Sequence, residues 1–474
     1  MHEPASREFP WLPVLAATAV GGALRFAGVL QEPWLDEIWS FGLARECQRA
    51  ADVFALKSSN NHALNTLWIY LVGDRPGFVL YRLPAFLAGL ACVPLAGWIA
   101  ARQGRRAAVA AAWLVALSFL QVVFSSEARG YAPLVFFSLA AFECAWTWLD
   151  TGARRWLGGV WLAAVLGVLS QTLFAVGFGG IALAVAARIA RDGRPRKLAR
   201  LAVFASVPFV AFGGWWLVNV RHVFNAGAPA WSALDKLSAT ASSAFGFPDG
   251  HLPALVGTLL AAAVLAFDTR SLARRGDLTW VAQLGVVVLG SLATVVILHD
   301  EYFAERYFLV PLAFWLLGFA RVLGRLAERT PAAAFFLFAL FAAGNTRDLV
   351  PFLQVGRGEI GTLVRTLAER SSANPIVVTS NFDFSVRLLL GWHARSLPPG
   401  RAVRYVPQRE LPPAGADFAV IQRALGPEAQ TAIRLGGRRY QLVGTARHAG
   451  PSGADWALYR REPDGVVAPS PPSR

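Results

Sequence analysis

Apolar side chains form long, almost uninterrupted runs over the first three quarters of the chain. Runs of about 16 to 22 residues are long enough to cross the hydrocarbon core of a bilayer, roughly 30 Å, as α-helices. The pattern therefore predicts a polytopic α-helical membrane protein with about eleven transmembrane helices, at residues 11–30, 78–101, 107–125, 132–149, 156–172, 174–190, 201–220, 253–267, 278–298, 304–323 and 332–344.

The fifth and sixth of these spans come from one apolar run, which extends from Trp156 to Ala190 and has arginines at both ends. As a single helix it would be about 52 Å long at 1.5 Å per residue, which is too long for one crossing. We expect a helical hairpin that turns near Ser170–Gly177.

The pattern changes from Asn345 onward, where short apolar runs rich in β-branched residues alternate with helical patterns between Pro and Gly clusters. The predicted strands are Pro375–Ser380, Ala402–Val406, Phe418–Gln422, Tyr440–Thr445 and Trp456–Arg460, and the predicted helices are 383–393 and 427–435. These elements predict a transmembrane domain over 1–344, a small α/β domain over 345–461 and a disordered tail over 462–474.

Composition supports the membrane interpretation. Of the 474 residues 55% are hydrophobic and only 16% are charged, which disfavours a purely soluble enzyme and a disordered chain. The three cysteines, Cys47, Cys92 and Cys144, give no basis for a disulfide framework, because two of them lie inside apolar runs.

The charge balance indicates orientation. The formal net charge is +15, which in a soluble protein would suggest a nucleic-acid partner. In a chain with many apolar spans, the distribution of the positive charges among the loops says more than their sum, because cytoplasmic loops are enriched in Lys and Arg. With a cytoplasmic N-terminus the inner loops hold 17 cations, Arg102, Arg321 and Arg325 among them, and the outer loops hold 7. We therefore expect a multi-pass cytoplasmic-membrane protein with its C-terminal domain outside the cytoplasm and no nucleic-acid partner.

An acidic pair, Asp36 and Glu37, follows Trp34 at the outer end of the first span. Two interpretations fit it. The pair is typical of a helix N-terminus, where carboxylates complement the helix dipole. It also suits a general base that removes a proton from a hydroxyl. Adjacent helical residues point about 100° apart, so at most one of the two carboxylates would react.

Three further polar clusters lie at predicted outer boundaries, and all are expected on one face of the membrane. Arginine has a fixed fork of donors that matches a phosphate, and ionisable groups at membrane boundaries tend to be functional. A hydrogen-bonded structural histidine and a snorkelling arginine remain the alternatives. The candidate substrate-binding residues are Asn61, His62, Glu127, Arg129, Tyr131 and, in the segment from His299 to Tyr307, Glu305, Arg306 and Tyr307.

These motifs, in this order over about residues 20–325, resemble the bacterial membrane glycosyltransferases of family 39. That family belongs to the GT-C superfamily, which includes protein O-mannosyltransferases and lipid A aminoarabinose transferases. The residues that carry the resemblance are Leu24-Arg25, Trp34-Leu35-Asp36-Glu37, His62, Tyr81-Arg82-Leu83-Pro84, Ser126-Glu127-Ala128-Arg129-Gly130-Tyr131 and Glu305-Arg306-Tyr307-Phe308 with Pro311.

The resemblance implies a GT-C-like fold and an inverting transfer of a sugar from a polyprenyl-phosphate carrier. The acceptor would be an envelope glycan, a lipid or a protein on the outer face. In this comparison Asp36 is the general base with Glu37 beside it, Arg129 and Arg306 hold the carrier phosphate, and Arg82 belongs to a further binding motif. No cofactor is required. A divalent cation is an open alternative, with Asp36, Glu37 and His62 as its ligands.

Two other functions compete with the enzyme. A transporter or flippase of lipid-linked glycans would need a phosphate-binding site too, but it is expected to carry ionisable residues deep in its spans and to show repeat symmetry. The predicted spans are almost entirely apolar, with Glu143 as the main exception. A non-catalytic envelope-assembly protein would keep the fold without needing the loop carboxylate.

Overall fold

The computed structural model describes residues 9–193, 195–223, 233–247, 250–298, 304–423 and 429–463. The chain divides into two compact units. The first comprises Met1–Leu30 and Ser40–Val350, and the second comprises Gln31–Trp39 and Pro351–Arg474. The segment 299–303 at the predicted start of the tenth span, and the tail from 464 onward, lie outside the described residues.

The first unit is helical throughout. Its long helices are apolar on most faces, as expected for helices that cross lipid. A helix also pairs its backbone N–H and C=O groups internally, which a segment in lipid requires. In chain order the helices are α1 Trp11–Val29, α2 Leu35–Glu46 (which begins in the second unit), α3 Ala63–Val72, α4 Val79–Ala100, α5 Arg105–Leu117, α6 Phe119–Ser125, α7 Tyr131–Thr151, α8 Arg154–Ser170, α9 Phe174–Arg191, α10 Lys197–Val218, α11 Ala233–Ser243, α12 His251–Arg274, α13 Thr279–Leu284, α14 Gly290–Leu298, α15 Leu309–Arg329 and α16 Pro331–Val355.

Within the described ranges, nine helices are long and apolar enough to cross a membrane. A tenth crossing would come from α5 and α6, which meet at a 59° bend. The remaining predicted span, 156–172, corresponds to α8, a helix of 17 residues. The structure therefore supports nine or ten spans by length and composition, where the sequence predicted about eleven. The predicted hairpin is confirmed, because α8 ends at Ser170 and α9 begins at Phe174.

Asn345 stabilises the bend between α5 and α6. Its side-chain oxygen accepts a hydrogen bond from the backbone N–H of Phe119 at 2.7 Å, and its amide donates to the carbonyl oxygens of Ala244 and Phe341. The first N–H groups of a helix lack intrahelical acceptors, so this contact satisfies one of them inside the protein. Asn345 was expected to open the C-terminal domain, but it is buried in α16 within the first unit.

A buried ionic cluster joins α12 to α15. Asp268 is fully buried; Arg321 donates to its carboxylate through Nε at 3.0 Å and Nη2 at 2.7 Å, and Arg325 donates at 2.7 Å. Arg321 also donates to the side-chain oxygen of Gln283. From the sequence, both arginines are predicted to be loop cations. That assignment was wrong, because α15 continues to Arg329 and both side chains bind an aspartate inside the helical unit.

The second unit contains two helices and a six-stranded mixed sheet. Helices α17 (Ile360–Arg370) and α18 (Asp383–His393) accompany strands β1 Ile376–Ser380, β2 Val403–Tyr405, β3 Phe418–Arg423, β4 Ala432–Leu435, β5 Arg438–Ala446 and β6 Asp455–Arg461. The strand order is β2-β1-β3-β6-β5-β4. β1 is parallel to β2 and β3, and the other neighbours are antiparallel. The predicted small α/β domain is confirmed.

One predicted element of this unit was wrong. The helix expected at 427–435 is strand β4 over its described C-terminal part, paired in antiparallel with β5. Gly436 and Gly437 have φ values of +55° and +77°, which gives the two-residue turn that joins antiparallel strands tightly. The two turn glycines, and not the spacing of the apolar residues, determine that this segment is a strand.

We predict that Asp268→Asn strongly destabilises the first unit. The substitution leaves the guanidinium of Arg321, only 4% exposed, without its opposite charge, and breaking a buried pair in this way costs about 3–5 kcal/mol. Thermal unfolding of the purified protein in detergent measures the effect. As the matched control, Asp74→Asn removes the partner of Arg45 in an exposed pair and should cost less than about 1 kcal/mol. Equal shifts for the two variants would contradict the interpretation.

We also predict that acid destabilises the second unit through His393. Burial, assisted by the positive charge of Arg365, lowers the pKa of His393 from 6.5 to about 4. The unfolded chain then binds this proton more readily than the folded unit, so stability falls as the pH drops from 6.5 towards 4, by up to about 3 kcal/mol. Urea-dependent proteolysis of the second unit at pH 7.5 and 4.5 measures the change. His393→Leu should abolish this component, and an identical acid sensitivity in wild type and variant would exclude His393 as its source.

Candidate functional site

Arg129 lies in the short connection between α6 and α7 and is only 4% exposed. Its Nη2 donates to the side-chain oxygen of Asn60 at 2.7 Å and also contacts Nε2 of His62 at 3.1 Å. The guanidinium carbon lies 4.9 Å from the ring centre of Tyr131. A buried arginine thus has its orientation set by an amide, an imidazole and an aromatic face. We call these four side chains, together with the carbonyl of Ser170, the Arg129 cluster.

The contacts of His62 define its protonation. Its Nδ1 lies 3.1 Å from the carbonyl oxygen of Ser170, and a carbonyl can only accept, so Nδ1 carries the proton. Nε2 then accepts from Arg129. His62 is therefore neutral in this arrangement, with both ring nitrogens engaged. A histidine held in this way orients the guanidinium and is not placed as a metal ligand.

Gly130 allows the connection to pass close to the end of α8. A Cβ atom at this position would lie 1.8 Å from the carbonyl oxygen of Ser170 and 2.9 Å from Nδ1 of His62. No other residue fits there without moving the backbone. The glycine next to Arg129 therefore permits the hydrogen bond between His62 and Ser170.

The loop before α3 is braced on both sides of His62. The amide of Asn61 donates to the carbonyls of Val53 and Leu56, and the amide of Asn65 donates to the carbonyl of Ala128 at 2.6 Å. Asn60 also donates to the hydroxyl of Ser40 at 3.0 Å. Asn61, which the sequence predicts to contact substrate, holds the loop in place through these contacts.

Glu127 and Tyr131 flank Arg129 and are both buried. The carbonyl of Glu127 accepts the backbone N–H of Arg129 at 2.7 Å. The ring of Tyr131 makes edge contacts with His62 and with Phe124, at centroid distances of 5.0 and 5.6 Å. The structure thus brings four of the predicted residues, His62, Glu127, Arg129 and Tyr131, into one buried group.

Arg82 occupies a different position. It lies on α4, fully buried, and donates to the carbonyl of Val29 at 2.7 Å, with its guanidinium over the ring of Phe78. Val29 is the last residue of α1, whose final carbonyl groups lack intrahelical donors. These contacts show Arg82 capping the C-terminus of α1.

The segment Glu305–Phe308 forms a turn of 3-10 helix immediately before α15, and it packs against α6. The guanidinium carbon of Arg306 lies 5.4 Å from the ring centre of Tyr307. Gln121 of α6 donates to the carbonyl of Leu309 at 3.3 Å. Glu305, Arg306 and Tyr307 therefore neighbour the helix that leads into the Arg129 connection.

Asp36 and Glu37 lie in the first turn of α2, in the stretch that groups with the second unit. A carboxylate oxygen of Glu37 accepts the backbone N–H of Trp34 at 3.0 Å. This is the return contact of a capping box, in which the third helical residue satisfies the N–H of the residue before the helix. Glu37 is buried and Asp36 is only partly buried.

Sequence reasoning missed Asn60, Ser170 and Arg25 as parts of the structured interior. Arg25 is fully buried in α1 and donates to the carbonyls of Gly21, Val115 and Ala116. The run Asn60-Asn61-His62 was a signal for a polar cluster. Nothing local to Ser170 indicated that its carbonyl would meet a histidine 108 residues away. Within the part of the chain that the structure describes, no three His, Cys, Asp or Glu side chains are grouped to hold a metal.

The sequence profile described as PMT, dolichyl-phosphate-mannose-protein mannosyltransferase, matches residues 66–224, which is roughly a third of the chain and includes the Arg129 connection. No curated protein sequence matches this chain.

Solved structures of two proteins share the fold over most of their length. ArnT from Cupriavidus metallidurans, solved with undecaprenyl phosphate and in the apo state, gives a TM-score of 0.53 at 15% identity, covering 94% of this chain and 97% of ArnT. The oligosaccharyltransferase of Archaeoglobus fulgidus gives 0.50 at 11% identity, covering 86% and 68%. The chain therefore shares its fold with ArnT and with the oligosaccharyltransferase, and the fold that the resemblance implied is confirmed.

Proposed function

We propose that this protein is an inverting glycosyltransferase that moves a sugar from a polyprenyl-phosphate carrier to a nucleophile on an acceptor. The observation that carries the proposal is the buried guanidinium of Arg129, held by Asn60 and neutral His62. It occurs within a fold whose solved relatives include ArnT bound to undecaprenyl phosphate.

Arg129 is assigned to the carrier phosphate, with Arg306 as a second cation. Hydrogen bonds to charged groups are shorter and stronger than neutral ones, and an arginine already oriented by its neighbours loses little entropy when it binds. The negative charge on the carrier phosphate grows as the glycosidic bond breaks. A fixed guanidinium stabilises that charge without having to move.

Asp36 is assigned as the general base. The acceptor hydroxyl oxygen attacks the anomeric carbon from the face opposite the phosphate, the bond from carbon to phosphate oxygen breaks, and the hydroxyl proton passes to the Asp36 carboxylate. One bond forms and one breaks at the same carbon, so its configuration inverts. Glu37 is assigned the supporting role of fixing the first turn of α2 through the N–H of Trp34.

The proposed setting is the outer face of a bacterial cytoplasmic membrane. Two groups of connections support it. The ends of α4, α7 and α9 and the connection after α12 surround one arginine-rich cavity. The connection before α3 and those after α6 and α8 meet at the Arg129 cluster. By the positive-inside rule the arginine-rich group faces the cytoplasm. The Arg129 cluster and the second unit are then assigned to the outside.

A transporter is the competing function, and the Asp268 cluster is the observation in its favour, because a buried carboxylate within spans often marks a transport path. The Asp268 carboxylate, however, accepts hydrogen bonds from both Arg321 and Arg325. A carboxylate saturated in this way is better suited to joining helices than to binding and releasing a cargo.

The function is tested by comparing the surface glycans of a strain that lacks the protein with those of an Asp36→Asn strain. Loss of the same sugar in both strains is the expected result, and it would identify the product. An intact glycan in the Asp36→Asn strain, with the protein present at the normal level, would refute the catalytic assignment.

We predict that Arg129→Lys weakens binding of undecaprenyl phosphate by about 10- to 100-fold, which corresponds to losing one hydrogen bond to a charged group. Lysine keeps the charge but loses the planar fork. Equilibrium binding to the purified protein is the measurement. Arg155→Lys, at an exposed position with the same change in chemistry, is the matched control and should bind as wild type does. Equal affinity of all three proteins would exclude Arg129 from the phosphate site.

We predict that Asp36→Asn lowers the transfer rate by at least about 100-fold while carrier binding is retained, because general base catalysis contributes about 10² to 10⁴ in rate. Glu37→Gln is the informative comparison. Glutamine can still accept the Trp34 N–H, so its rate should stay within a few-fold of wild type. Transfer assays in isolated membranes distinguish the two. A loss in Glu37→Gln that matched the loss in Asp36→Asn would contradict this division of roles.

A further inference from the structure

A polar cavity of about 660 Å³ lies within the first unit, apart from the Arg129 cluster. The ends of α4, α7 and α9 and the turn between α12 and α13 enclose it. We call it the arginine pocket; its lining residues are Arg102, Gln103, Trp146, Leu149, Asp150, Arg188, Arg191, Asp192, Gly276, Asp277, Leu278 and Thr279. Its volume is in the range of small-molecule sites.

The carboxylates of the arginine pocket are already engaged by protein groups. Asp150 accepts from Arg102 at 2.7 Å and also from Arg188. Asp277 accepts from Gln103 at 2.7 Å and from the backbone N–H and hydroxyl of Thr279. Carboxylates engaged in this way are poor ligands for a cation, which disfavours a metal ion or an ammonium group in the pocket.

Arg191 is anchored at the rim of the pocket, where its Nη1 donates to the carbonyl of Gly276 at 2.9 Å. Among the residues that the structure describes, none accepts a hydrogen bond from its Nε or Nη2, so both can turn to a ligand. Arg188 lies beside it, with its guanidinium carbon 5.4 Å from the ring centre of buried Trp146. Each of these anchored guanidinium groups has the planar fork of donors that matches a phosphate.

The sequence around these arginines makes the region strongly positive. Residues 188–200 contain six cations and one acid: Arg188, Arg191, Arg194, Arg196, Lys197 and Arg200 against Asp192. Asp192 pairs with Arg200 at 2.9 Å, so it contributes little negative charge to the pocket. The lining itself carries three arginines and three aspartates, so the excess positive charge that attracts an anion comes from the cations that follow Asp192 in the chain.

We propose that the arginine pocket binds the phosphate group of an anionic phospholipid. The pocket opens where long apolar helices end, which is the depth of the lipid headgroups. Leu149, Leu278 and Trp146 give it an apolar side for the glycerol and upper acyl chain, and the arginines give it a phosphate side. Basic pockets between transmembrane helices on the cytoplasmic side bind anionic headgroups for the same reasons.

The test is retention of phosphatidylglycerol by the full-length purified protein, followed by native mass spectrometry with phosphatidylcholine as the neutral comparison. Wild type should hold phosphatidylglycerol more tightly than phosphatidylcholine. Arg191→Gln should weaken the phosphatidylglycerol complex by about fivefold, the value for one basic residue at an anionic surface. The matched control is Arg270→Gln, an exposed position near the same end of α12 that is not part of the lining, and it should retain the lipid as wild type does.

Competition with a soluble ligand distinguishes a bound lipid from a bound free phosphate ester. Glycerol phosphate, added in millimolar excess, should not displace the bound phosphatidylglycerol, because it lacks the acyl chain that contacts the apolar side. Displacement that depends on Arg191 would replace the lipid with a soluble phosphate ester as the ligand. Equal retention of phosphatidylglycerol by wild type, Arg191→Gln and Arg270→Gln would overturn the proposal.

Discussion

Burial of the Arg129 guanidinium is the constraint on which the candidate site depends. A guanidinium has five donors and cannot be deprotonated in a protein, so the surrounding chain must supply acceptors with fixed geometry. Here Asn60 and His62 come from the loop before α3, and the carbonyl that orients His62 comes from the end of α8. The close approach of these segments explains why a glycine must follow Arg129.

Buried guanidinium groups in the interior of the helical unit also need acceptors with fixed geometry, but their acceptors lie on helices. Arg25 uses backbone carbonyls of α1 and α5, whereas Arg321 uses the carboxylate of Asp268. Each of these arginines ties two helices together, since at least one of its acceptors lies on a neighbouring helix. Arg25 and Arg321 are therefore packing elements of the apolar bundle, whereas the Arg129 cluster joins connections.

The sequence allowed most of the helices to be predicted, because length and apolarity are local properties of a span. The hairpin at Ser170 followed from length alone. The Asp268 cluster was missed because Asp268 stands one residue beyond the apolar run predicted at 253–267, while α12 continues to Arg274. The helix predicted at 427–435 was wrong because two glycines with positive φ turn the chain back as a hairpin. The motifs named four residues that the structure brings together, His62, Glu127, Arg129 and Tyr131, but the contact between His62 and Ser170 depends on packing that no local pattern encodes.

The acidic pair shows how helix geometry can separate the roles of adjacent carboxylates. At the N-terminus of α2 the third helical residue can reach back to the N–H of the residue before the helix, and Glu37 does so at Trp34. Asp36 precedes it by one position, so its side chain points about 100° away from that contact. Glu37 is thus engaged at the start of the helix, and Asp36, one position earlier, is the carboxylate that we propose as the base.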